Sequence, residues 1–238
     1  MHEYYRENKK KFKKDMDNFL KLIRPEIEKE TKKPYEEIEK ETWIYYEKEM
    51  LDKFPYIGGN KASGTRNLTG AYSFIAFGEI CKRYGISMEK WGYLTTLSYR
   101  RYFERIPKFI RIFMRKVIMT PSITIKMLKK KDKQNMENAK KNPGSFETKT
   151  QDPTKEYPII YHNLVCPLCN FAKKYGYMEY MPYICNLDYV MFEVIKVPFY
   201  REKTCLHGDP YCDFKMKKGA PVVPAWPCHG LREEDLLR

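Results

Sequence analysis

The chain has 238 residues, of which 42% are hydrophobic and 15% are aromatic, and this composition excludes an intrinsically disordered protein. The formal net charge is +14, but most of the excess is Lys interleaved with Glu and no recognition module accompanies it, so we expect no nucleic-acid partner. No apolar run reaches membrane-spanning length and the N-terminus lacks the apolar core of a signal peptide, so we expect a cytoplasmic protein without a membrane partner.

The N-terminal half has the pattern of a helical region. Apolar residues recur at three- and four-residue steps from Phe12 to Ile27, which indicates one buried helical face. Pro34 suits the first turn of a second helix that reaches about Phe54. The Gly-rich segment 56–70 lacks phosphate-binding spacing, so we interpret it as a connector.

Two further helices are predicted in this half. One runs from Ala71 to Tyr84, and Ser87 caps a long helix that Pro107 kinks. The Lys-rich segment 127–141 is typical of a solvated helix or a linker. The aromatic residues of the long helix are interpreted as core and packing surface: Tyr93, Tyr99, Tyr102, Phe103, Phe109 and Phe113.

The pattern changes near Pro143, after which short extended segments alternate with short helices. The apolar segment 157–165 is predicted to be a strand that ends at Cys166, which then caps a short helix. Pro182 opens another helix that reaches about Ile195. We therefore expect these residues to form a small α/β domain.

The predicted fold class is α+β, with a helical N-terminal half packed on the C-terminal α/β domain and its small antiparallel sheet. The expected divisions are a helical region at 1–142, a cysteine-rich α/β domain at 143–220 and a Pro-rich C-terminal tail at 221–238. We expect this tail to lie outside the core.

The segment "REKTCLHGDPYCDFKMKK", residues 201–218, is predicted to be a β-hairpin. The pairing puts Cys205 opposite Cys212 on one face, where the two thiols could share a disulfide, a metal or a substrate. Glu202 faces Lys215 in this pairing, and its simplest role is a cross-strand ion pair.

Seven cysteines, an odd number, in a chain without an export signal favour thiols, metal ligands or catalytic groups over a disulfide framework. Cys166 is a candidate nucleophile because a helix N-terminus lowers the pKa of a thiol. Cys185 is another candidate because Asp188, three residues later, shares its helical face and could act as acid or base. Cys212 completes the set of catalytic candidates. The alternative for each thiol is a small buried hydrophobic residue.

A metal site is the second interpretation of these thiols. Cys185, Cys205 and Cys212 could supply three thiolates to zinc, and the fourth ligand could be Glu202, Cys169 or His207. A bulge would be needed to turn Glu202 toward Cys205.

Substrate-binding groups are expected in the same hairpin. Arg201 lies on the face of the two cysteines and offers the fork that binds a carboxylate, and His207 lies in the turn. Asp213 points to the opposite face and is expected to bond turn backbone. Cys228 and His229 are discounted because we expect the Pro-rich tail to place them poorly.

The motifs "CPLC" at 166–169, "CNLD" at 185–188 and "CDF" at 212–214 resemble the L-2-amino-thiazoline-4-carboxylic acid hydrolase family. "GGN" at 58–60 and "CKRYGISMEKWG" also resemble its N-terminal half. The resemblance implies ring opening of a cyclic amidine thioether to an N-carbamoyl amino acid. The hairpin is also similar to the end of the 4-vinyl-reductase type of ligand-binding domain, a resemblance that implies an antiparallel sheet and zinc-binding Cys and Glu residues.

The preferred hypothesis is a hydrolase that cleaves a C–N or C–S bond in a small carboxylate-bearing heterocycle. It requires no cofactor, although the thiols are compatible with zinc, and its partner is a small-molecule substrate. The alternative is a non-enzymatic sensor-type domain with a structural zinc. A homodimer is compatible with either.

Overall fold

The computed structural model describes residues 1–62, 64–229 and 231. Across these residues no helix is long and apolar enough to cross a membrane. Ten helices and four strands follow the expected order, with the helices concentrated in the N-terminal half, and the α+β prediction is confirmed.

Eight helices make up the N-terminal half. They are α1 (Glu3–Glu7), α2 (Lys9–Leu20), α3 (Arg24–Thr31), α4 (Tyr35–Tyr45), α5 (Thr65–Arg83), α6 (Met88–Glu104), α7 (Lys108–Ile118) and α8 (Pro121–Lys141). The predicted apolar face from Phe12 to Ile27 is buried. Ser87 caps α6 as predicted, since its side chain accepts a hydrogen bond from the Lys90 N–H.

Two predicted helix boundaries in this half are wrong. Helix α5 begins at Thr65 instead of Ala71, because the apolar face continues through Leu68 and Gly70 is tolerated inside the helix. The long helix is broken, not kinked, at Pro107. The extended backbone of Pro107 ends one helix and starts α7.

The prediction that the aromatic residues after Ser87 serve as core and packing surface fails in α7. Phe109 and Phe113 are 72% and 65% exposed, and none of the residues of α7 is buried. Tyr99, by contrast, stacks on Phe19 in the interior. The helical period identifies an apolar face but does not say whether anything covers it.

The C-terminal part contains helices α9 (Pro167–Tyr175) and α10 (Met181–Val194) and the strands β1 (Glu147–Thr150), β2 (Ile159–Val165), β3 (Phe199–Tyr200) and β4 (Cys212–Met216). The four strands form one antiparallel sheet in the order β1-β2-β4-β3. Cys166 is the N-cap of α9 and Pro182 lies in the first turn of α10, as the sequence predicts.

The predicted hairpin register is wrong by two residues. Tyr200 pairs with Lys215, and the strand ends there instead of continuing to Leu206. A 3-10 turn from Cys205 to His207 replaces the regular pairing. Cys205 and Cys212 nevertheless lie close together, since the Cys205 N–H is 3.2 Å from Cys212 Sγ.

The helical half and the sheet share one continuous hydrophobic core, which extends from Tyr5 to Ala225. The described part of the C-terminal tail joins this core, contrary to expectation. Ala225 is fully buried, its N–H donates to Glu193 and its carbonyl accepts from Asn186, both on α10. The last seven residues of the predicted tail, 232–238, lie outside the described residues.

Helix α6 contacts α10 closely because Gly92 has no side chain. A Cβ at Gly92 would lie inside the van der Waals envelope of the buried Tyr183 ring. We expect Gly92→Ala to lower the free energy of unfolding by about 1–3 kcal/mol through overpacking. Denaturant unfolding measures this change.

Gly70→Ala is the matched control, since a Cβ there meets nothing within 4 Å. It should leave stability unchanged or raise it by up to about 1 kcal/mol, because Ala has the higher helix propensity. Equal effects of the two substitutions would contradict the close approach of α6 and α10.

Candidate functional site

Arg201 is the charged group at the centre of the candidate site. Its side chain is only 8% exposed and its guanidinium lies over the rings of Tyr189, Phe199 and Phe214 at 5.4, 5.7 and 5.6 Å. Burial by itself lowers the pKa of Arg201, but the Asp188 carboxylate together with the neighbouring thiol and phenol groups more than offsets this and keeps the guanidinium charged.

Both ends of the guanidinium fork bind protein. One terminal nitrogen donates to Asp188 Oδ2 at 2.7 Å and the other donates to the Cys185 carbonyl at 2.7 Å. The sequence predicts Arg201 as a substrate-binding group. The fork instead joins the β3–β4 connection to α10 and orients the Asp188 carboxylate.

Asp188 lies in a recess of the protein. Its side chain is 38% exposed, yet desolvation by surrounding protein groups raises its pKa. The charge of Arg201 and its hydrogen bond only partly offset this rise. A carboxylate with one oxygen on Arg201 and an elevated pKa is a candidate for proton transfer.

Four thiols gather beside this ion pair, namely those of Cys166, Cys185, Cys205 and Cys212. They are close enough that a negative charge on one raises the pKa of its neighbours. Cys166, Cys185 and Cys205 are partly exposed, whereas Cys212 is 6% exposed. We call this group of thiols, with Asp188 and Arg201, the thiol recess.

The two thiols that the sequence favours as nucleophiles are protonated. Burial raises the pKa of Cys166 to about 12 and raises the pKa of Cys185 well above its ordinary value. Position at the N-terminus of α9 does not overcome the desolvation of Cys166.

Cys212 has the opposite tendency. Hydrogen bonding from the Cys205 thiol is the main cause that lowers the pKa of Cys212, and Thr204, the Cys205 N–H and the charge of Arg201 add to it. The Cys205 N–H lies 3.2 Å and the Thr204 hydroxyl 3.5 Å from Cys212 Sγ. The same pairing raises the pKa of Cys205. The recess therefore favours its thiolate on Cys212.

The residues of the zinc alternative do not fit a metal ion. Within the described residues, no group of three or more His, Cys, Asp or Glu is arranged to hold one. Glu202 is 73% exposed and binds Lys215 at 2.8 Å, the ion pair that the sequence predicts.

Other candidates lie around the recess. His207 ends the 3-10 turn that carries Cys205, and its role in substrate binding stays a prediction. His229 is placed more firmly than expected, since its N–H donates to Asn186 and its ring stacks on Tyr189. The expectation that the Pro-rich tail places His229 poorly is therefore wrong.

Sequence reasoning missed Thr204. It caps the 3-10 turn and its hydroxyl contacts Cys212, but the sequence motif that includes Thr204 does not indicate which side chain this hydroxyl contacts. The sequence also gave no indication of a cavity of about 200 Å³ in the helical half. The residues that line this cavity include Tyr4, Asp15 and Arg66, and none of them belongs to the thiol recess.

Residues 100–216, just under half of the chain, match the model of a family described as L-2-amino-thiazoline-4-carboxylic acid hydrolase. The match includes the whole thiol recess. The comparisons with curated proteins and with solved structures each found no match. The family match supports the predicted resemblance and a hydrolase-type function, while the resemblance to the 4-vinyl-reductase type of domain stays a prediction.

Asp213 supports the recess from the opposite face of β4, as the sequence predicts. Its carboxylate accepts the N–H groups of Glu202 and Lys203 and binds Lys215 at 3.0 Å. Burial alone raises the pKa of Asp213, but these hydrogen bonds and the ammonium lower it below 3.8. We expect Asp213→Asn to cost about 1–3 kcal/mol of unfolding free energy at neutral pH.

The pH dependence follows from the direction of this shift. A depressed carboxyl pKa contributes stability above its unfolded-state value, and that contribution is lost as the pH falls through the folded-state value. The stability difference between wild type and Asp213→Asn should therefore shrink in denaturant titrations below pH 3.8. A difference that stayed constant or grew there would contradict the charged role of Asp213.

Proposed function

We propose that the protein is a hydrolase that opens a small cyclic amidine bearing a carboxylate, such as 2-aminothiazoline-4-carboxylate. The observation that carries the proposal is that the Cys205 N–H and the Thr204 hydroxyl lie 3.2 and 3.5 Å from Cys212 Sγ and lower the pKa of this thiol, while desolvation raises the pKa of Asp188 in the same recess. These are the ionisation states that a nucleophile and a proton-transfer group need. The family match over residues 100–216 supports the reaction class.

The thiolate of Cys212 is the proposed nucleophile. Its negative charge is stabilised before substrate arrives by the Cys205 N–H and the Thr204 hydroxyl. The proposed nucleophile is therefore Cys212 and no longer Cys166 or Cys185, because the thiols of those two residues stay protonated.

Asp188 is the proposed acid and base, and Arg201 is a positioning residue. Asp188 Oδ2 is held by Arg201, which leaves Oδ1 available for the amidine nitrogens or for a leaving group. A charged carboxylate also attracts an amidinium, the protonated form of such a ring.

The proposed reaction has two steps. The Cys212 thiolate attacks the carbon of the amidinium, the ring C–S bond breaks, and the Asp188 carboxylate transfers a proton from the amidinium nitrogen to the departing sulfur. Water then attacks the same carbon and loses a proton to Asp188, the bond to Cys212 breaks, and the product is the N-carbamoyl amino acid with a free thiol. One water molecule is consumed, the Cys212 thiolate is regenerated, and Asp188 releases the remaining proton to solvent.

The first test is a set of variants assayed for release of a thiol from 2-aminothiazoline-4-carboxylate. Cys212→Ser should reduce turnover to background, and Asp188→Asn should reduce kcat by about 10²–10⁴-fold, the usual contribution of a general acid or base. Cys166→Ser and Cys185→Ser should retain most activity.

Glu202→Gln is the matched control, because Glu202 is an exposed carboxylate of the same hairpin that binds only Lys215. Loss of activity in Cys185→Ser with retention in Cys212→Ser would move the nucleophile back to Cys185. Binding of the compound without product in wild type and every variant would reject the hydrolase and favour a sensor domain.

A second test uses the pH dependence of kcat/KM. Because the thiolate is the active form, kcat/KM should rise with pH through a pKa that lies below the ordinary thiol value of 9.0. Thr204→Val removes a hydroxyl that lowers this pKa, so the rise should move to higher pH while Glu202→Gln leaves it in place. An unchanged profile in Thr204→Val would argue against Cys212.

A further inference from the structure

Helix α7 exposes an apolar face that no described part of the chain covers. Phe109, Ile112 and Phe113 are 72%, 58% and 65% exposed. They occupy the i, i+3 and i+4 positions of one helical face, with Lys116 at i+7. The helix contacts the hydrophobic core through the other side, with Met114 and Ile118.

The helix is held in place despite this exposure. Thr124, the buried residue of α8, donates to the carbonyls of Val117 and Ile118 at 3.0 and 2.8 Å. The corner between α7 and α8 therefore fixes the direction of the apolar face. Ile123 and Met127, at 45% and 59% exposure, extend the apolar surface onto α8.

The charge around this face is almost entirely positive. Residues 105–133 hold ten Lys and Arg residues and one acidic residue, Asp132. Within α7 itself, cations alternate with the apolar residues at Lys108, Arg111, Arg115 and Lys116. Aromatic and aliphatic side chains flanked by Lys and Arg are typical of a helix that lies in the plane of a membrane interface.

We propose that α7, with the start of α8, is a docking surface for an anionic lipid bilayer. The face inserts Phe109 and Phe113 at the boundary between headgroups and acyl chains, and the flanking cations bind lipid phosphates and carboxylates. A second copy of the chain fits this surface less well, because it would bring two strongly cationic helices together. The proposal concerns attachment to a surface and is compatible with the absence of a spanning helix among the described residues.

The test is cosedimentation of the full chain with two kinds of vesicle, phosphatidylcholine alone and phosphatidylcholine mixed with phosphatidylserine. We expect binding to the mixed vesicles, weakened by salt, and little binding to the neutral ones. Phe109→Ser combined with Phe113→Ser should reduce the bound fraction at least about tenfold, since both rings would lose their burial in lipid.

Ile44→Ser is the control, because Ile44 is an exposed aliphatic residue on another helix, at 40% exposure. The double variant should unfold at the wild-type temperature, since its two rings are solvent-exposed. If it does not, Arg115→Gln combined with Lys116→Gln supplies the same test, with the expected loss confined to the mixed vesicles.

Absence of binding to mixed vesicles, or equal binding by wild type and the double variant, would overturn the proposal. Sedimentation equilibrium gives the other decisive result. A wild-type dimer that the double variant converts to a monomer would show that the face is a self-association interface and would likewise overturn the assignment to lipid.

Discussion

The ion pair between Arg201 and Asp188 is the interaction on which the C-terminal part depends. A guanidinium that is 8% exposed requires compensation for lost hydration, and it receives it from one carboxylate, one backbone carbonyl and three aromatic rings. Those partners belong to α10, β3 and β4. The same contact that makes the buried charge tolerable therefore fixes the helix against the sheet.

The chemistry of the thiol recess follows from this arrangement. The positive charge of Arg201 favours anions nearby. Backbone hydrogen bonds to the Cys166 sulfur do not overcome its desolvation, whereas hydrogen bonds from Cys205 and Thr204 lower the pKa of Cys212, so Cys212 gains the thiolate while Cys166 and Cys185 remain protonated. Asp188 stays close to Arg201 yet has a raised pKa, because desolvation by the surrounding protein outweighs the effect of Arg201. Of the four thiols, the arrangement therefore favours Cys212 as the nucleophile, with Asp188 as the proton-transfer group.

Local signals predicted the parts of the structure that local physics decides. Pro182 and Cys166 mark helix starts, and the predicted ion pair of Glu202 with Lys215 forms although the strand pairing is shifted. The groups that accept hydrogen bonds from the Arg201 guanidinium could not be predicted, because residue spacing does not show which distant backbone carbonyl will lie beside it. The pKa order of the thiols depends on desolvation, which exists only after the chain has folded. The exposure of the apolar face of α7 was not predicted for a related reason. Helical periodicity shows that a helix is amphipathic but does not show what its apolar side contacts.

A double-mutant cycle on the unfolding free energies of Arg201→Met, Asp188→Leu and the combined variant tests the central role of the ion pair most directly. Each single variant leaves one charge without its partner, so the combined variant should lose less stability than the sum of the two losses. We expect a coupling of about 1 kcal/mol, a modest value because the Asp188 side chain keeps 38% of its surface. Additive losses, with a coupling below about 0.3 kcal/mol, would contradict the account.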